Sequence, residues 1–384
     1  MNRKRISAVA YKEWREIVRD RLFFALAFFV PALLMLLFGY GLSLDVENIP
    51  LAIIDYDHSA LSRDYAHRFS DSRYFRFVGQ LHDEHQIRPL LTDNEVRAVI
   101  IIPEHFAEDL LAGRPARVQT LIDGTFPFRT QTTRGYVQAI NAAFSIQTLA
   151  AWLQQTRGMA PSDAQTLLQP VRVETRYRYN EGMQSIWALA PKLLMLILML
   201  SPPFLTALGI VREKESGSIF NIYASTVSRG EFLIGKLAPY IGISLINAVV
   251  MWLMACFLFG APFRGDVLFF LFATTLYVAC TTGIGLVVSA AVSTQVAAMI
   301  VTVILTVVPA VLYSGLFIPI PSLSSVAQLV AHLLPGMYFA DVATGTFLKA
   351  SGTAQLWPHL LALGAYALIL FTAGFMLFHK RNAA

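Results

Sequence analysis

At 384 residues, with 55% hydrophobic and only 14% charged side chains, the chain is too apolar for water to be its only solvent, which excludes an ordinary soluble globular protein. The formal net charge of +5 sits on the flanks of apolar segments and not on a clustered basic face, which excludes a nucleic-acid-binding module. Both cysteines, Cys256 and Cys280, fall inside apolar segments, which excludes a disulfide-stapled domain.

Residues 1–21 predict a cytoplasmic amphipathic helix lying in the membrane interface. Val9, Ala10, Trp14, Ile17 and Val18 share one face, and Arg15, Glu16, Arg19 and Asp20 share the other. Trp14, Arg15 and Arg19 suit headgroup depth. Arg3, Lys4, Arg5, Lys12, Arg15, Arg19 and Arg21 outnumber Glu13, Glu16 and Asp20, so this end stays in the cytoplasm. Residues 22–44 contain the first span. It begins too late and is too long for a cleaved signal peptide, so it is a retained anchor.

Residues 45–184 form the one large polar segment. Strands at 51–55, 74–78, 96–102, 118–122 and 171–177 alternate with helices at 60–69, 84–91, 104–111 and 130–155, which predicts an α/β domain with a single sheet. The charge flanks place it outside the cytoplasm. It has arginine but no lysine. His82 and His85 are spaced for chelation on a helix, beside Asp83 and Glu84. Acids at a solvated helix start produce the same letters, so no metal site is assigned to them or to His58, His67 and His105. Asp55 and Asp57 read as turn or cap residues.

Residues 185–384 supply five more spans, at 186–210, 237–260, 267–291, 295–317 and 359–378. Arg212, Lys214, Arg229 and Lys236 follow the second span, and Lys380 and Arg381 follow the last. Six spans put all of these on the cytoplasmic side, leaving residues 318–358 outside as a re-entrant region. Pro202, Pro203 and Pro309 are hinge candidates. Only Lys192, near the outer end of the second span, is a charge within a span, so ion coupling lacks its usual buried acids. Asn247 and Gln295 fit either a polar path or helix-to-helix hydrogen bonds. Gly230-Glu231-Phe232-Leu233-Ile234-Gly235-Lys236-Leu237 matches a phosphate loop until its last position, where a hydroxyl for Mg²⁺ is required and leucine stands. There is no GxSxG elbow, and no catalytic residue is assigned.

The most informative motif is the charged run Val211-Arg212-Glu213-Lys214-Glu215-Ser216-Gly217-Ser218 at the end of the second span. A charged stop-transfer flank would need no such order, because interspersed acids add little to topology. With Ser228-Arg229-Gly230-Glu231-Phe232-Leu233-Ile234-Gly235-Lys236 behind it, this pattern resembles the permease subunits of ABC-2-type transporters, in the branch with a large external domain between spans one and two. A second match is Ser314-Gly315-Leu316-Phe317-Ile318-Pro319-Ile320, then Leu334-Pro335-Gly336-Met337-Tyr338-Phe339 and Gly345-Thr346-Phe347-Leu348-Lys349. A weaker one is Arg176-Tyr177-Arg178-Tyr179-Asn180, which departs from the family in carrying Glu181 where relatives often have proline.

The resemblance implies a polytopic α-helical membrane protein with six spans and an inserted α/β extracytoplasmic domain, in a bacterial inner membrane with both termini cytoplasmic. It implies an exporter of amphipathic or hydrophobic compounds, drug-like or lipid-like, and not an enzyme. The chain binds no cofactor; ATP and Mg²⁺ are used by separate cytoplasmic ATPase subunits. Further partners are a second permease copy or paralogue, the lipid bilayer and a periplasmic membrane-fusion adaptor. The coupling segment is 211–236, with Arg212, Glu213, Lys214, Glu215, Gly217 and Ser218 meeting the ATPase. Gly315, Pro319, Pro335, Tyr338, Gly345 and Lys349 mark the external re-entrant region. The competing reading is a membrane-anchored extracytoplasmic sensor or adhesion protein, for which five of the six spans would be superfluous. A secondary carrier would carry inverted repeats.

Overall fold

Charge-free runs of leucine, isoleucine, valine and phenylalanine close their backbone hydrogen bonds within themselves and so become helices wherever the solvent is hydrocarbon. In a computed structural model, which describes residues 2–42, 45–168, 176, 178–218 and 226–378, six helices among the described residues are long and apolar enough to cross a bilayer. They are Arg21–Gly41, Ser185–Glu215, Arg229–Leu258, Val267–Ala291, Gln295–Tyr313 and Thr353–Leu377, here called spans one to six. The chain divides into two units, Met1–Leu44 with Tyr177–Ala384, and Asp45–Arg176.

Span two is the hub of the first unit. Its apolar window is 89% buried, against 17% for span six, and Leu193, Leu194, Leu198 and Met199 sit at the centre of the main core. The helix runs unbroken through Pro202 and Pro203, as span five does through Pro309. Asn247 donates from span three to the Ala27 carbonyl of span one at 2.6 Å, so this intramembrane amide joins helices.

Span three starts eight residues before its apolar stretch. Ser228 and Glu231 form a capping box in which each side chain accepts from the other's backbone N–H. The segment expected as a cytoplasmic connection is therefore helix at both ends: 211–215 closes span two and 229–236 opens span three. Span five stops at Tyr313, ahead of Gly315 at φ +78°. Beyond it, Ser325–His332 and Pro335–Lys349 form a helix pair bent by 85°. At that bend the His332 carbonyl accepts from the hydroxyls of Tyr338 (3.0 Å) and Tyr366 (2.7 Å), which satisfies an oxygen that a helix end leaves open.

The second unit is built on a four-stranded sheet of order β2-β1-β3-β4, with β1 Ile49–Asp55, β2 Phe75–Leu81, β3 Ala98–Ile102 and β4 Gln119–Ile122. β1 pairs parallel with β2 and β3, and β4 closes antiparallel on β3. The central strands are apolar up to Asp55 at the end of β1 because both their faces are covered. Leu51, Ile53, Ile100 and Ile102 point to one core with Tyr65, Phe69, Phe106 and Phe144; Ala52, Ile54, Val99 and Ile101 point to the other with Ile87. Asp55 makes the turn after β1, accepting from the Asp57 and His58 amides and the Ser62 hydroxyl. The strand read at 171–177, apart from Arg176, which is in no strand, lies outside the described residues, as do the junction 219–225 and the tail charges Lys380 and Arg381.

Candidate coupling site at the end of span two

Successive residues of an α-helix point 100° apart, so four in a row sweep most of its circumference. Arg212, Glu213, Lys214 and Glu215 form the last turn of span two, and each meets a different element. Arg212 Nη1 donates to Asp20 Oδ2 at 2.7 Å, at the joint between the N-terminal helix (Arg3–Arg19) and span one. Glu213 Oε1 is held by Lys12 of the N-terminal helix (2.8 Å) and Lys236 of span three (3.1 Å). Lys214 Nζ donates to the Ser289 carbonyl in the last turn of span four at 2.5 Å. Glu215 Oε2 accepts from the backbone N–H (3.0 Å) and side-chain amide (2.9 Å) of Gln295, the first residue of span five. Gly217, at φ +73°, ends the helix in a conformation that costs other residues strain. Ser218 folds back on the Glu213 carbonyl at 3.4 Å.

The N-terminal helix lies along span three. A Cβ on Gly235 would come within 2.8 Å of the Ile6 carbonyl and the Val9 side chain, so only glycine lets the two helices approach this closely. Both helices begin on one carboxylate: Glu231 Oε1 accepts from the Asn2 amide at 2.6 Å and Oε2 from the Ser228 amide at 3.0 Å. Further along, Glu13 is 3% exposed. It accepts from Lys236 Nζ at 2.7 Å and from the Tyr240 hydroxyl. Glu13, Glu16 and Glu213 offer oxygens within 4.8 Å of one another. Lys12 and Lys236 supply the opposite charge, which makes this an ion cluster and not a cation site.

The surroundings set the titration of its outer members. Burial pushes the Glu13 carboxyl above the usual carboxylate range, although Lys236 and Tyr240 pull it down. For Lys12 burial works against the charge, but its hydrogen bond to Glu213 prevails and the ammonium is held above its ordinary value. The Phe23 amide, helped by Arg212, holds Asp20 below the ordinary aspartate value. Beside the cluster opens a cavity of about 690 Å³ lined by Glu13, Arg212, Glu213, Ser216 and Ser218 among others. Glu213 Oε2 has no partner among the described residues.

Glu13 and Tyr240 carry this geometry without having been singled out from sequence, and Lys236 was read there only as a cytoplasmic charge closing the phosphate-loop lookalike. One signal was present. Glu13 falls four residues after Val9 and four before Ile17, on the stripe that packs inward, and a charge on such a stripe needs a partner. The apolar residues of the N-terminal helix also divide, since Val9 and Ile17 turn inward with Glu13 while Trp14 and Val18 stay exposed. Arg15 and Arg19 are exposed, Arg15 lying over the Tyr11 ring. The phosphate-loop lookalike 230–237 is continuous helix, and its lysine is the 1% exposed Lys236 bound to two carboxylates.

The candidates expected on the external side form a separate group. Lys192 donates to the Gly315 carbonyl at 2.6 Å, and it stands 20 residues before Arg212 on the same helix, about 30 Å away at 1.5 Å per residue. Pro335 opens the second arm of the bent pair, with Tyr338 on it. Gly345 packs against Leu356, Pro319 precedes a short 3₁₀ turn, and Lys349 is exposed at the end of the arm.

A bundle with six helices long and apolar enough to cross a bilayer defines a polytopic membrane protein. The chain belongs to the ABC-2 transporter family: the family described as "ABC-2 family transporter protein" matches residues 21–376. It is 28% identical over 368 residues to "Probable multidrug ABC transporter permease YbhS" of Escherichia coli K12, covering 95% of this chain and 94% of that one. It is 23% identical to "Probable multidrug ABC transporter permease YbhR" of the same organism, covering 98% and 99%. With "Linearmycin resistance permease protein LnrN" of Bacillus subtilis 168 it shares 22% identity, covering 97% and 98%. The chain is thus a membrane permease subunit of an ABC transporter and not an enzyme; ATP hydrolysis resides in a separate subunit.

Proposed function

We propose that this permease exports amphipathic or apolar compounds, with ATPase partners acting on the end of span two. The observation that carries the reading is the sweep of Arg212 to Glu215 onto the N-terminal helix and spans three, four and five. A push delivered there reaches nearly every helix of the bundle at once, through ion pairs and hydrogen bonds that tolerate little change of distance. The cavity that Arg212, Ser216 and Ser218 line beside Glu213 is where the ATPase docks. Gly217 and Ser218 shape its rim, and Trp14, Arg15 and Arg19 keep the N-terminal helix at the lipid surface.

In this reading the charged end faces the cytoplasm of a bacterium, with both termini there and Asp45–Arg176 outside the inner membrane, where a membrane-fusion adaptor docks. A second permease copy or paralogue completes the pathway. The bent pair with Gly315, Pro319, Pro335, Tyr338, Gly345 and Lys349 lines the outer exit, and Pro202, Pro203 and Pro309 are where spans two and five flex. Relatives named for multidrug transport and linearmycin resistance, together with spans that hold few charges, support amphipathic cargo.

The test is reconstitution with the co-purifying ATPase in proteoliposomes. Glu213→Ala with Glu215→Ala is expected to insert normally and to lose substrate-stimulated ATP turnover and transport together. Unchanged substrate-stimulated turnover in that variant refutes the coupling role. Failure of the unaltered complex to move any compound of a broad amphipathic panel refutes the export reading.

A further inference from the structure

The unit Asp45–Arg176 contains a cavity of about 780 Å³ that the coupling mechanism does not use. Its floor is a cluster of three buried rings, Tyr65, Phe106 and Phe144, with centroids 4.9 to 6.1 Å apart. Trp152, on the long helix Pro127–Arg157, forms one wall. The indole lies so close to Gly113, at φ +73°, that a Cβ there would stand 2.9 Å from it. Glycine alone satisfies both the left-handed turn and the contact, so the wall depends on one specific residue.

The polar lining has a consistent sign. Tyr65 donates to Asn141 Oδ1 at 2.5 Å, which leaves both hydrogens of the Asn141 amide to donate. Arg114 is held by Asp109 (2.8 Å) and Glu108 (3.4 Å). Arg117 is exposed and has no ion pair or hydrogen bond among the described residues. None of the lining side chains is acidic. A cavity of drug-sized volume with an apolar floor and a few convergent donors is the usual form of a small-molecule site, and a cationic ligand would find no counter-charge in it.

We propose that this cavity binds amphipathic anions, the acidic head at Arg117 and Asn141 and the apolar body over Tyr65, Phe106, Phe144 and Trp152. The site rests on this unit alone and holds whichever way the transporter moves its cargo. Such an anion has two sources, a free compound or an acidic lipid.

The experiment uses the full chain in phosphatidylcholine nanodiscs. One arm adds diazirine-bearing palmitate from solution, and the other incorporates phosphatidylglycerol with a diazirine-bearing acyl chain. Peptides carrying Phe144 and Trp152 are expected to be labelled, in the first arm if the ligand is a free anion and in the second if it is a lipid. Arg117→Ala removes a charge-assisted hydrogen bond and is expected to weaken labelling about tenfold, as is replacing the fatty acid by the matching alcohol. Ser145→Trp, which fills the cavity from an exposed helix position, is expected to abolish labelling without changing the melting temperature. Absence of label from these peptides in both arms overturns the proposal. So does labelling that both variants leave intact, or that the alcohol matches.

Discussion

Lys236→Met removes the ammonium that holds Glu13 and Glu213 together. The lysine side chain is 1% exposed, 2.7 Å from one carboxylate and 3.1 Å from the other. Breaking a buried ion pair by deleting one partner costs about 3–5 kcal/mol. Two features reduce that here: Glu213 keeps Lys12 at 2.8 Å, and Glu13, already pushed up by burial, takes a proton and stays bonded to Tyr240. A cost of roughly 2–3 kcal/mol remains. It falls on the attachment of the N-terminal helix, where it corresponds to about 30- to 150-fold less protection of that helix's amides. The assay is hydrogen exchange by mass spectrometry on peptides spanning Arg3–Arg19 in nanodiscs. Adding Glu13→Gln should restore most of the protection, because a neutral amide needs no counter-charge. Protection in Lys236→Met within about twofold of wild type, or losses that simply add in the double variant, would refute the cluster as the clamp.

Gly235→Leu should displace the N-terminal helix outright, since the new side chain meets the Ile6 carbonyl and Val9; faster tryptic cleavage at Arg15 and Arg19 would register it, and an unchanged rate would contradict the packing. The pH response has two signs. Glu13 is raised above its ordinary 4.5, so its contribution is full below that value and is lost as pH rises through the folded value. Asp20 is lowered from 3.8, so its contribution is full above that value and is lost as pH falls through the folded one. Exchange protection of the N-terminal helix should therefore fall as pH climbs from 4.5, and Glu13→Gln should remove that slope. Exchanging two charges, Lys214→Glu with Glu215→Lys, keeps net charge and topology but should lower the melting temperature by loosening the junction of spans four and five, through two lost charge-assisted bonds and two adverse helix ends. A variant that inserts and resists heat like the wild type would mean the run is only a topogenic flank.

Six spans were legible because hydrocarbon thickness fixes the length of an apolar helix, and nothing distant is needed to read it. Their ends were less so. Span three begins at Arg229, not residue 237, because a capping box can extend a helix through charged residues that lower hydropathy. Span six begins at Thr353, not residue 359. In the second unit, β1 and β3 were plain as short apolar runs covered on both faces. β2 continues through Gly79 and Gln80 to Leu81, past the expected residue 78, because pairing with Ala52, Ile53 and Ile54 of β1 holds it extended. The helix expected at 84–91 divides into a 3₁₀ turn, Glu84–Gln86, and the short helix Ile87–Thr92.

The candidate site was half legible for a different reason. A charged run announces itself, but its partners do not: Lys236 and Glu13 are 223 positions apart, and no local periodicity links them. From the run alone, Glu213 is a charge offered to another subunit; in the fold it lies 5% exposed between two lysines of its own chain. The order of signs nevertheless follows from what each residue meets. Asp20 requires a cation at 212, and two lysines require an anion at 213. Lys214 meets the carboxyl end of span four, where helix carbonyls favour a cation, and Glu215 meets the amino end of span five, where amides favour an anion. Alternating charge at this turn is the imprint of an antiparallel pair of spans on the helix that runs between them. On the proposed coupling role, an ATPase engaging this end would meet a turn already locked to its neighbours, and force applied to it would be carried by the helices as a set.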